Sequence, residues 1–161
     1  MSVGWWQANP RAQASEEFGP ISHYYLVVIP YANSTQIKHP DYYESSNLIT
    51  NSKQKEKPGS KDEDGSHAYI TAKFLQRSLP YTFPLGNEKK FEGFVNWPLR
   101  SNVYYKIFVR AYVDITQQHL YTSSPLSPNL SLDMPYGEIN SFSNKLFTVC
   151  STFPNSNRNF F

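Results

Sequence analysis

The chain has 161 residues, 16% of them aromatic and only 17% charged, with 12 prolines and a net charge of +2. That length fits one domain or one domain with a tail, and the aromatic-rich, charge-poor composition suits strands and excludes a coiled coil. Charges of both signs are spread along the chain, so no basic face for nucleic acid is expected, and a single cysteine, Cys150, excludes an intrachain disulfide framework and a Cys-rich zinc site.

Residues 1–18 hold one short apolar piece, Val3-Gly-Trp5-Trp6, followed by a polar stretch. Pro20 fixes its own φ and pushes Gly19 toward extended or turn geometry, which marks a strand from Ile21 to Ile29, rich in β-branched and aromatic residues and closing at Pro30. Residues 31–66 are dominated by Asn, Ser, Lys, Asp and Gly. With so little to bury they cannot offset the entropy of ordering, and a mobile polar insertion is predicted, with Tyr43 to Ile49 compatible with a short helix.

Strand character returns at His67 to Phe74 and again at Phe91 to Trp97, with a turn at Pro84-Leu-Gly-Asn87 between them. The clearest segment follows. Tyr105, Ile107, Val109, Ala111 and Val113 alternate with Lys106, Phe108, Arg110 and Tyr112, and a period of two turns the first set toward the core. A weaker last strand is expected within Leu120 to Leu132, where Ser124-Pro125 and Ser127-Pro128 confine it to an edge or a bulged position. Residues 135–161 show no sustained period and read as an irregular tail. The longest apolar run, Tyr24 to Pro30, is far below the ~20 residues that cross a bilayer, and Met1 to Trp6 lacks a charged region followed by an apolar one, so neither membrane insertion nor a secretion signal is expected of this chain.

Short strands without a strong helical stripe or a repeat predict an all-β fold, an antiparallel β-sandwich spanning residues 19–134. Leu99 lies six residues before Tyr105, which opens the alternating strand. That is the arrangement of a tyrosine corner, in which the hydroxyl bonds back to upstream backbone. With Gly19-Pro-Ile21 and Ser123-Ser-Pro125, the pattern resembles a fibronectin type III domain, with Ile107, Val109 and Ala111 as the core face of its strand. More narrowly, Gly19 to Pro30, Ala68 to Phe74, Phe83-Pro-Leu-Gly-Asn87, Phe91-Glu-Gly-Phe-Val-Asn-Trp-Pro-Leu99 and Tyr121-Thr-Ser-Ser-Pro125 resemble, in order, the membrane-proximal fibronectin-like domain of receptor-type tyrosine phosphatases of the LAR-like and insect neuronal type.

The resemblance implies an extracellular, noncatalytic module for recognition, adhesion or spacing, partnered by an extracellular protein or glycan or by neighbouring receptor domains, in a parent that dephosphorylates phosphotyrosine. It also implies a first strand and most of a second ahead of Trp5-Trp6, so that only a stub of the second is expected here, and a basic processing site in the insertion, whereas Lys53 to Lys61 has no run of adjacent basic residues. Downstream it implies a transmembrane helix and phosphatase domains, to which residues 135–161 bear no resemblance.

No catalytic residue, metal site or cofactor is expected. A tyrosine phosphatase needs a low-pKa Cys preceded by His and followed by Arg after five residues, whereas Val149 precedes Cys150 and Ser156 stands at the Arg position. His23, His39, His67 and His119 lack ligand spacing, and Asp62-Glu-Asp64 sits beside Lys57 and Lys61 as a solvated loop. Two sequons, Asn33-Ser-Thr35 and Asn129-Leu-Ser131, make Asn33 and Asn129 candidate glycan acceptors. The alternative is a β-sandwich binding module of another adhesion or secreted protein, presenting Tyr42, Tyr43 and Trp97 as an aromatic patch.

Overall fold

The computed structural model describes residues 2–4, 20–32, 36–53, 67–78, 80, 82–115 and 118–132. In chain order the elements are β1 (Ser2–Gly4), β2 (Ile21–Tyr31), a 3-10 turn (Pro40–Tyr42), α1 (Ser45–Ser52), β3 (Tyr69–Leu75), β4 (Thr82–Pro84), β5 (Lys90–Phe91), β6 (Phe94–Val95), β7 (Tyr104–Ile115) and β8 (Gln118–Ser123). A four-stranded antiparallel sheet runs β3-β2-β7-β8, and β1 pairs antiparallel with β4 as the other layer. The fold is an all-β antiparallel sandwich of fibronectin type III type. Trp5, Trp6, Asn33 and Cys150 lie outside the described residues, as do Asp62 to Asp64 and the tail from 135 onward.

The alternation in β7 behaves as its period requires on one face. Tyr105, Ile107 and Val109 are buried with Leu26, Val28, Ala72 and Phe74, and Phe83 and Leu85 from around β4 close the layer. Ala111 is buried with Ile21. At the same time the opposite set is buried too: Phe108 and Arg110 are fully enclosed, and Tyr112 nearly so. A single-faced strand was the expectation, and the cause of the difference is the segment read as mobile.

Residues 36–53 fold back over that second face. Tyr43 and Leu48 pack there with Val27, Ile29, Ile70, Phe94 and Phe108. The helix α1, Ser-Ser-Asn-Leu-Ile-Thr-Asn-Ser, has weak intrinsic propensity and too few turns to stand alone, so its stability comes from docking. Two side chains in its last turn fasten it to the start of β3: Asn51 Nδ2 donates to the Ala68 carbonyl at 2.9 Å, and Ser52 Oγ accepts from Ile70 N at 2.7 Å. The mobile-insertion expectation therefore fails for 36–53, where polar side chains substitute for an apolar stripe by binding backbone.

Three boundaries also moved. β2 continues through Pro30 to Tyr31 instead of closing at Pro30. Pairing with β3 ends at Val28↔Tyr69, leaving Pro30 with a strand neighbour on β7 only, a setting that tolerates a residue without an N–H. The stretch Phe91 to Trp97 is a hairpin, not one strand. Glu92 and Gly93 both adopt positive φ, +51° and +88°, and turn the chain between the paired Phe91 and Phe94, the geometry of a type I′ turn. The last strand, β8, begins at Gln118 and lies at the sheet edge, the position its Ser-Pro pairs demanded.

Candidate functional site

Four polar constructions organise the domain. At the head of β7, the Tyr105 hydroxyl accepts a hydrogen bond from Arg100 N at 2.8 Å, closing the loop that follows Leu99, itself packed on the first core layer. Tyr69 lies fully buried in the same layer. Burial pushes its hydroxyl pKa well up, neighbouring Tyr105 adds to the shift, and Arg100 opposes it.

The second construction centres on Asn96, which is 1% exposed. Its Oδ1 accepts from the Thr71 hydroxyl at 2.8 Å and from Gly86 N at 2.9 Å, while its Nδ2 donates to the Pro84 carbonyl and to Asn87 Oδ1, at 2.6 and 2.7 Å. Every hydrogen-bonding position of the amide is thereby used. Gly86 sits at φ +77°, and a Cβ there would lie 3.0 Å from Leu99 N. The Leu-Gly-Asn and Gly-Phe-Val-Asn blocks are thus two halves of one buried knot.

The third construction is Arg110, fully buried in the middle of β7. Its guanidinium donates to the Pro40 carbonyl at 2.7 Å, the Tyr43 carbonyl at 2.8 Å, Ser45 Oγ at 3.2 Å and Ser123 Oγ at 3.0 Å. The Tyr121 ring lies 4.3 Å from it, a cation–π contact. Ser45 also hydrogen bonds the Tyr112 hydroxyl. Among the described residues no carboxylate comes within ion-pairing distance of Arg110. The charge is held by neutral oxygens and a ring, and what it secures is the entry to α1.

At the edge beyond β8, two Ser-Pro pairs repeat one device. Ser124 N donates to the Val109 carbonyl while its Oγ accepts from Val109 N at 3.0 Å, and Ser127 does the same for Ile107, with Oγ 2.9 Å from Ile107 N. Each serine supplies both partners a strand would have offered, so proline can follow it without a lost bond. The ladder resumes at Leu130, bridged to Tyr105.

The aromatic residues singled out for binding do not form a patch. Tyr42 is 76% exposed, whereas Tyr43 is buried in the second layer and Trp97 packs against the first with its indole N–H buried. Asn129 is exposed on the edge segment. The histidines remain apart: His23 stacks on Tyr112 at 4.8 Å, His39 caps the 3-10 turn and lies 3.4 Å from Asp41, and His67 is half-buried before β3. Among the described residues no cluster of three His, Cys, Asp or Glu side chains could hold a metal.

From the sequence, Ser124 and Ser127 stand out only as Ser-Pro edge markers and Asn96 only as part of a distinctive block, and Arg110 has no assigned role. The signal for Arg110 is a charge flanked on its own strand face by Phe108 and Tyr112.

These ties define a fibronectin type III sandwich with a structured insertion on its outer sheet face. No protein-family model matches the chain. It is 50% identical over 129 residues, 78% of its length, to tyrosine-protein phosphatase Lar of Drosophila melanogaster. It is 32% identical over 122 residues, 74% of its length, to receptor-type tyrosine-protein phosphatase F of Danio rerio, and 31% identical over 124 residues to receptor-type tyrosine-protein phosphatase S of Gallus gallus. The chain is homologous to a segment of the LAR-type receptor tyrosine phosphatases. It spans only 6% of the length of the fly and zebrafish proteins and 8% of the chicken one.

Proposed function

We propose that this chain is the noncatalytic, membrane-proximal fibronectin-like module of a LAR-type receptor tyrosine phosphatase, lying outside the cell and serving recognition, adhesion or spacing. The observation that carries the reading is 50% identity to the fly receptor across 78% of the chain, in a sandwich where buried Asn96 and Arg110 are engaged in structural ties. Phosphotyrosine hydrolysis belongs, on this reading, to cytoplasmic domains of the parent, and the module needs no cofactor. Its partners are an extracellular protein or glycan, or the adjoining domains of the same receptor.

The adjoining coding sequence tests the parent. A membrane span followed by His-Cys-(x)5-Arg supports the reading, and tandem adhesion domains without that motif overturn it. Antibody against the segment should label intact, unpermeabilised cells. The purified chain should not turn over a phosphotyrosine analogue; turnover abolished by Cys150→Ser would overturn the noncatalytic assignment.

A further inference from the structure

We propose that Asn129 is a glycan acceptor that can be used only before the domain closes. The three residues of its sequon differ sharply in the fold. Asn129 is exposed, but Leu130 is 1% exposed and Ser131 6%. Leu130 is also locked at the backbone: its N–H donates to the Tyr105 carbonyl at 2.9 Å, and its carbonyl accepts from Tyr105 N at 2.8 Å.

N-glycan transfer joins Asn Nδ2 to the anomeric carbon of a lipid-pyrophosphate-linked oligosaccharide. The C–O bond to pyrophosphate breaks, the lipid pyrophosphate leaves with the electron pair, and the amide nitrogen loses one proton. The transferase must grip backbone on either side of the asparagine and read the hydroxyl two residues on, the reason the motif is Asn-x-Ser/Thr. In the closed domain that backbone is committed to Tyr105 and the hydroxyl-bearing residue is buried. The product is nevertheless tolerated, because the Asn129 side chain faces water.

Modification and folding therefore compete for residues 129–131. The pairing that ends the competition joins Leu130 to Tyr105, 25 positions earlier, a shorter loop to close than the Tyr31↔Tyr104 pairing of β2 with β7. Occupancy at Asn129 becomes a record of how long the edge stayed open.

The inference rests on the extracellular reading, so the experiment fuses a cleavable secretion leader to the full chain. This forces entry into the secretory pathway, and failure then concerns the site and not the natural location. In an Asn33→Gln background, glycosidase-sensitive mass at Asn129 should appear on a fraction of secreted molecules, vanish in Asn129→Gln and Ser131→Ala, and rise in Tyr105→Phe, which weakens the closing corner. In case Tyr105→Phe is not secreted, the decisive comparison is in vitro. Purified folded chain given transferase and lipid-linked oligosaccharide should stay unmodified at Asn129, while a peptide of residues 122–138 is modified. A peptide that is not modified, or folded chain modified as fast as the peptide, overturns the proposal.

Discussion

The hydroxyl of Tyr105 receives the backbone N–H of Arg100 at 2.8 Å, so one side chain at the start of β7 fixes the path of the loop that brings Leu99 onto the core. Tyr105→Phe keeps the ring and removes the acceptor. It should destabilise the domain by about 1–2 kcal/mol, read as a lower midpoint in urea at unchanged slope. An unchanged midpoint would show that the hydroxyl is idle.

Arg110→Met should act on the other face. Methionine fills much of the same volume but removes the guanidinium's hydrogen bonds to the Pro40 and Tyr43 carbonyls, at a cost of about 2–4 kcal/mol. The loss should be local first: amide exchange should accelerate in 40–52 more than in β2, because the guanidinium ties the insertion to a sheet that is otherwise intact.

Asn96→Asp separates the amide's two roles. The carboxylate can still accept from Thr71 and Gly86, but it presents a second negative oxygen to the Pro84 carbonyl and Asn87 Oδ1. That carboxyl should be held protonated above its ordinary range, so the variant should be most stable at acid pH and lose stability as pH rises. Gly86→Ala should be destabilising at every pH by about 1–3 kcal/mol, since φ +77° and a backbone nitrogen 3.0 Å away both oppose a Cβ.

Glu92 occupies a positive-φ turn position that asparagine favours. Glu92→Asn should therefore raise stability by about 0.5–1 kcal/mol, checked by thermal melting, with the hairpin register unchanged.

Burial raises the pKa of Tyr69, and burial followed by Tyr104 raises that of Tyr31. Both phenols must stay neutral in the fold while the unfolded chain ionises above about 10. Their contribution is complete below that pH and is lost as pH rises beyond it. Lys106, whose pKa burial lowers, works the opposite way, relieving a penalty as pH climbs toward about 10.5. Alkaline unfolding should begin at higher pH in Tyr69→Phe; an identical alkaline limb would remove Tyr69 from the account.

The legible parts of the fold were those written in apolar periodicity. Ile21 to Ile29 and Tyr105 to Val113 announce themselves because alternating or continuous burial of branched and aromatic side chains has a strand's period. The helix α1 was legible only as a short helix compatible with Tyr43 to Ile49: it buries Leu48 and relies on Asn51 and Ser52 to seize backbone on β3, and hydrogen bonds of that kind leave no apolar period in the sequence. Arg110 has no assigned role in the sequence for a related reason, since periodicity gives a residue's face but not whether another segment later covers it. The Leu-Gly-Asn and Gly-Phe-Val-Asn blocks were visible as distinctive, yet only three-dimensional closure shows that Asn87 and Asn96 touch.

The clamp at Arg110 also decides which residues a visitor to that side of the domain would meet. With the carbonyls of Pro40 and Tyr43 pinned to β7, the middle of the sheet is roofed, and Tyr42 projects from the roof into water. Exchanges at outward positions of 36–53 can therefore rewrite the local surface while the strands beneath keep their packing. The scaffold and its display are encoded in separate stretches of chain.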